Sequence, residues 1–210
     1  MWRVSTIGRL SGVTPPPKVG ATRLEAASTR GTEVHALSEA VAHGISVDPD
    51  RHRQYMDGIR LWFAETRPVV LRTEFRVVSK RKNVTGRIDL LALIDRAPFI
   101  ADWKSGSESK GHGVLLAGYE ELVLEDPESR RLLKEHLGHV PLELGRLNIY
   151  VPGNRSYREK WRNDPNDRYV WRAALGLVQW QYEAGYITQV DPAYPPGERE
   201  TDWSIPSIAL

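Results

Sequence analysis

Cysteine is absent from all 210 residues. That absence excludes disulfide bonds, thiolate zinc sites, iron–sulfur clusters held by cysteine and a cysteine nucleophile. Any metal must therefore be held by histidine, carboxylate, carbonyl oxygen or water. Long apolar runs are also missing, and none approaches the roughly 18 residues of a membrane-spanning helix. The opening stretch MWRVSTIGRLSG lacks the apolar segment of a signal peptide, so the expectation is a cytoplasmic (intracellular) protein with no membrane partner. Strong charge of one sign is lacking too. A formal net charge of +2 and a sequence pI of about 8.9 permit a nucleic-acid partner without demanding one. SGSESKGHG at 105–113 lacks the spacing of a phosphate-binding P-loop, and no Ser–His–Asp arrangement stands out.

What is present is an ordinary globular balance, 40% hydrophobic and 27% charged, in a length that suits one domain. Residues 1–20 read as an irregular arm ending in TPPPK, where proline forbids helix. A domain over 21–186 follows, and 187–210 reads as a Pro-rich tail. From Ala21 to about His43 the spacing is helical, in two pieces broken at TRGT, with Val34, Leu37 and Val41 on one face. Asp48 and Pro49 mark a helix start, and that helix carries Tyr55, Ile59, Leu61, Trp62 and Phe63 up to Pro68. VVLRTEFRVVS (69–79), VTGRIDLLALI (84–94) and PFIADWK (98–104) read as strands joined by short turns, an antiparallel meander. A helix from 114, an extension or repeat over 128–137, a strand at GRLNIYVPG and a long helix opened by Pro165 complete the order. The fold class is therefore α/β (α+β), a sheet with helices packed on its faces.

The chemistry sits in GRIDLLALIDRAPFIADWKSG, residues 86–106. Side chains at i and i+2 of a strand share a face, so Asp102 and Lys104 point one way and Trp103 the other. Antiparallel pairing can bring Asp89 beside Asp102, and carboxylates held together repel unless a cation lies between them. All-oxygen ligands favour Mg²⁺, with Mn²⁺ as substitute. The alternative is an Asp–Lys surface pair with Asp89 capping a turn. Two basic clusters, SKRKN (79–83) and RSYREKWR (155–162), suit either phosphate contact and base stacking or a solvated turn and surface strand. Glu74, mid-strand, either approaches the site or pairs with an arginine.

GRID followed by ADWKSG resembles the paired motifs of the PD-(D/E)xK nuclease superfamily, in its RecB-like and phage-type exonuclease branch. STRGTEVHALSEA (28–40) resembles the upstream helical motif of that branch, and LLAGYEEL (115–122) its downstream helix, although Leu115 stands where glutamine is usual. The resemblance implies a restriction-endonuclease-like core, a central mixed β-sheet flanked by helices in the order αβββαβ. It implies that His35, Asp89, Asp102 and the Trp103 carbonyl hold Mg²⁺, and that Asp89, Asp102 and Lys104 form the catalytic set. Glu39 would orient His35, while Arg30 and Tyr119 would contact DNA; for His35 and Tyr119 a core role is the alternative. The implied activity is a metal-dependent deoxyribonuclease, an exonuclease in DNA recombination, repair or phage DNA processing. A recombination or single-strand-binding protein would be a possible partner. A catalytically silent DNA-binding or scaffold module on the same fold is the rival expectation.

Overall fold

The meander at the centre of the chain builds the sheet, and its second and third strands are apolar on both faces because each lies between two helical layers. The computed structural model describes residues 1–15, 20–48 and 52–187. In order these form strand β1 (Trp2–Arg3), helices α1 (Val4–Leu10), α2 (Ala21–Ala42) and α3 (Arg53–Thr66), and strands β2 (Val69–Ser79), β3 (Val84–Ile94) and β4 (Ala97–Lys104). Helices α4 (Gly111–Glu125) and α5 (Pro127–Leu137), strands β5 (Gly145–Tyr150) and β6 (Arg158–Trp161) and helix α6 (Asn166–Glu183) follow. The fold is mixed α/β, with a mixed central sheet flanked by helices. Strands β2, β3 and β4 are antiparallel, β5 runs parallel to β4, and β6 closes antiparallel on β5. Among the described residues, no helix is long and apolar enough to cross a membrane.

Two cores sandwich the sheet. On one face Val34 and Leu37 of α2 and Tyr55, Met56, Ile59 and Trp62 of α3 cover Phe99, Ala101, Trp103, Leu147 and Ile149. Trp62 meets Trp103 edge to face at 5.3 Å, a geometry worth about 0.5–1.5 kcal/mol beyond area burial. The Trp62 indole N–H donates to Glu159 at 2.7 Å, tying α3 to β6. On the other face α1, α4, α5 and α6 bury Ile7, Leu116, Val123, Leu133, Trp171 and Val178 against Val77, Val84, Ile88 and Ile100.

Several boundaries differ from those read in the sequence. Within the segment expected to be an irregular arm, residues 2–10 form β1 and α1: Trp2, Val4 and Ile7 are fully buried, and β1 pairs in parallel with Val84 and Thr85; residues 16–19, which hold most of TPPPK, lie outside the described residues. Burial of these apolar side chains against α4 and β3 orders a segment too short to announce itself as strand and helix. The helix expected to break at TRGT continues unbroken as α2; the Thr29 and Thr32 hydroxyls are absorbed within it by bonding to the carbonyls of Glu25 and Ser28 one turn back, in place of the turn they could otherwise have favoured. The start expected at Asp48–Pro49 moves to Arg53; His52 at φ 60° is left-handed and cannot continue a right-handed helix. Residues 49–51 and the tail beyond Ile187 lie outside the described residues. Residues 127–137 form a separate helix, capped by Asp126, which accepts the Ser129 N–H at 2.9 Å, and ended by Gly138 at φ 84°.

Candidate active site

The site lies where the sheet forks. Strand β2 pairs with β3 along almost its whole length, so β1 and β4 must share the other edge of β3. Pairing with β4 runs from Ile94 back to Leu90 and stops, and β1 takes up only Val84 and Thr85. Residues 86–89 are left between them. At this fork the Asp89 carboxylate stands in for the ladder and accepts the Trp103 N–H at 2.8 Å.

The alternation of β3 changes phase at the same point. Val84 and Ile88 face the α4 side, and Gly86 lies under Tyr119 and Leu122 of α4. Beyond Asp89 the parity is reversed, with Leu91 facing α4 and Leu90 and Ala92 facing α2 and α3. Opposite Asp89, at the level between the pairs Thr73↔Leu90 and Phe75↔Ile88, Glu74 adopts φ 45°. A left-handed non-glycine residue inside a strand costs of order 1–3 kcal/mol. Here it turns the Glu74 side chain toward α2.

His35 reaches this point from α2. Its Nδ1 lies 3.1 Å from Glu74 Oε1 and 3.2 Å from Asp89 Oδ2. The donor atoms of His35, Glu74 and Asp89 all fall within 4.8 Å of one another. Burial alone would lower the imidazole pKa, but Asp89 and then Glu74 outweigh it and hold His35 as a cation up to about 10. Two carboxylates and one imidazole from three separate elements make a donor set suited to a hard divalent cation. Such an ion would take the place of the imidazole proton. The second Glu74 oxygen pairs with Arg87 at 2.7 Å, so Glu74 meets both the site and an arginine.

Asp102 lies outside that triad. Lys104 Nζ donates to its Oδ1 at 2.7 Å, and Asn148 Nδ2 donates to its Oδ2 at 2.7 Å. Burial would lower the Lys104 pKa, but Asp102 and Asp89 raise it above the ordinary lysine value, so the ammonium keeps its proton. Tyr119, expected at the DNA interface, packs its ring over Gly86. Burial, then Asp102 and Asp89, push its phenol well above the usual tyrosine range. Trp103 is buried through its side chain in the α3 layer, and its N–H serves Asp89.

Two expected contributors are placed elsewhere. Among the described residues, His35 Nδ1 meets Glu74 and Asp89 rather than Glu39, because the strand pair comes closer than the next turn of the same helix. Arg30, five residues before His35, is turned about 140° around α2 from it. Sequence reasoning missed a polar chain on β5. Asn148 accepts from Arg162 Nε at 2.9 Å while donating to Asp102. Tyr150 accepts from Arg162 at 2.8 Å, which leaves its own proton for His112 Nδ1 at 2.9 Å. A wholly buried asparagine in the apolar run RLNIYV was the available signal, since buried polar groups need partners. The chain matches no sequence profile of a known protein family, and no curated protein matches it.

Proposed function

We propose that this protein is a Mg²⁺-dependent deoxyribonuclease that hydrolyses phosphodiester bonds, built on a restriction-endonuclease-like core of the PD-(D/E)xK type. One observation carries the reading: His35, Glu74 and Asp89 converge from three elements at a strand fork whose next residues are the Asp102–Lys104 pair. The run of α2, three antiparallel strands, α4 and a strand parallel to β4 supports the same core. Compared with the expectation from sequence, Glu74 takes a place among the ligands that Asp102 was expected to fill.

Mg²⁺ or Mn²⁺ held by His35, Glu74 and Asp89 would polarise a phosphoryl oxygen and acidify water, as divalent ions do in phosphoryl hydrolysis. Lys104 then presents a permanent cation toward the charge that grows on the phosphate oxygens. Asp102 aims that ammonium through one oxygen, and Asn148 fixes the other so that the carboxylate cannot rotate. Tyr119 walls the site on the α4 side and, held neutral, is a hydrogen-bond donor. Incubation of the purified protein with end-labelled linear DNA and with circular DNA, with and without Mg²⁺, tests the proposal. Cleavage of linear DNA only in Mg²⁺, with circular DNA spared, is the result expected of an exonuclease. Absence of cleavage with DNA binding retained would favour the silent binding module instead.

A further inference from the structure

The cations of β6 have no part in the site as described, although they share the face of the sheet that carries Asp102 and Lys104. Cross-strand pairs set Lys104 beside Tyr150 and Tyr150 beside Arg158, and likewise Asp102 beside Asn148 and Asn148 beside Lys160. Paired residues project to the same side, so Arg158 and Lys160 stand two strands, roughly 10 Å, from Lys104 and Asp102. The alternate residues point away: Glu159 accepts from Trp62, and Trp161 lies edge-on to Phe99. Among the described residues strand β6 pairs only with β5, and its cation-bearing side chains are more than half exposed at Arg158 and half exposed at Lys160.

What these cations hold is a single carboxylate. Glu108, four residues after Lys104 in the loop over 105–110, places Oε2 3.0 Å from Arg158 Nη1. Its Oε1 lies 3.2 Å from Arg162 Nη1 and 3.8 Å from Lys160 Nζ. Three cations thus face one carboxylate, the fork-like arrangement by which arginines take a phosphate. Burial would raise the Glu108 pKa, but Arg162, Lys160 and Arg158 bring it below the usual carboxylate range. The loop is not packed over at Gly106, where an added Cβ would meet nothing within 4 Å. Its far end is anchored, with the Ser109 carbonyl accepting from Arg162 and the Ser109 hydroxyl from Gly111 N–H.

We propose that Arg158, Lys160 and Arg162 form a phosphate subsite for the DNA strand that enters the site, and that Glu108 fills it in the free protein until the strand displaces it. The inference rests on the reading of DNA as the substrate. Residues 105–108 are then a tethered competitor: release of Glu108 frees the subsite and moves the segment directly after Lys104. Coupling between strand capture and the Asp102–Lys104 pair also runs through the bonds from Arg162 to Asn148 and from Asn148 to Asp102.

The test is fluorescence anisotropy of a fluorescein-labelled single-stranded oligodeoxynucleotide in EDTA, over a series of KCl concentrations. Glu108→Gln should tighten binding by roughly fivefold, the scale of one exposed ion-pair competitor removed. Arg158→Ala and Lys160→Ala should each weaken binding and make the slope of log K against log salt shallower by about 0.7. The gain from Glu108→Gln should shrink in the Arg158→Ala background, which a mere change of net charge would not produce. Unchanged or weaker binding by Glu108→Gln, or unchanged salt slopes for the two cation variants, overturns the subsite. Cleavage is read separately: binding shifts without Mg²⁺-dependent cleavage sink the nuclease reading and keep the subsite, and cleavage without the shifts does the reverse.

Discussion

Replacing Lys104 with methionine keeps most of the stem and removes the ammonium, which separates a catalytic role from a structural one. In the fold the ammonium lies 2.7 Å from Asp102, with 27% of the lysine side chain and 12% of the aspartate exposed. Loss of a hydrogen bond between charged groups costs about 1.5–3 kcal/mol. Water can reach the vacated oxygen through the exposed part of the site, and Asn148 still serves the other one, so the lower end, about 1–2 kcal/mol, is expected. A domain of ordinary stability, about 5–15 kcal/mol, stays folded after such a loss. Under the proposed mechanism turnover should fall far more, by about 10²–10³, because the ammonium would face charge that develops only in the transition state. Guanidinium melts and single-turnover cleavage of labelled linear DNA in saturating Mg²⁺ measure the two effects side by side. A melt shifted as expected with cleavage slowed less than about tenfold would show that Lys104 only holds Asp102 in place, and would remove it from the mechanism.

Three further outcomes are expected. Mg²⁺ or Mn²⁺ should raise the melting temperature of the wild type, with about 2.7 kcal/mol gained at a hundredfold excess over Kd; Glu74→Gln should need about tenfold or more metal for the same shift, and an identical titration in that variant would remove Glu74 from the ligand set. Gly86→Ala places a Cβ 2.8 Å from the Tyr119 ring and should cost about 1–3 kcal/mol by overpacking; denaturant melts of the variant combined with Tyr119→Ala should show less than the additive loss, and strict additivity refutes the contact. His112 is held neutral, its pKa lowered to about 4 by burial and then by Lys104. A lowered histidine pKa means stability that is full above about pH 6.5 and lost as pH falls toward about 4. The ceiling for that loss is about 3 kcal/mol, reduced to roughly 1–2 kcal/mol by solvent around the part-exposed ring. His112→Phe should flatten the fall in melting temperature across that window, and an unchanged pH profile would argue against the buried neutral ring.

Much of the frame is written locally. Alternating apolar residues and short polar links over 69–104 specify the β2–β3–β4 meander, and two-residue spacing alone puts Asp102 and Lys104 on one face with Trp103 on the other. Helices α4 and α6 follow from helical spacing, and α6 begins where Pro165 announces it. Other features depend on partners far along the chain. Segment β1–α1 is ordered by burial of Trp2, Val4 and Ile7, which a window of ten residues cannot reveal. The break of phase at Asp89 and the left-handed Glu74 opposite it are not properties of either strand alone. They lie where β4 and β1 take different halves of one edge of β3, at the stretch that neither pairs. That break of phase, rather than residue spacing, goes with Asp89 meeting Glu74 and His35 while Asp102 turns to Lys104 and Asn148. Sequence spacing determines which side chains share a face, whereas the register of distant strands determines which faces meet, because side-chain contact is made across the sheet and not along it.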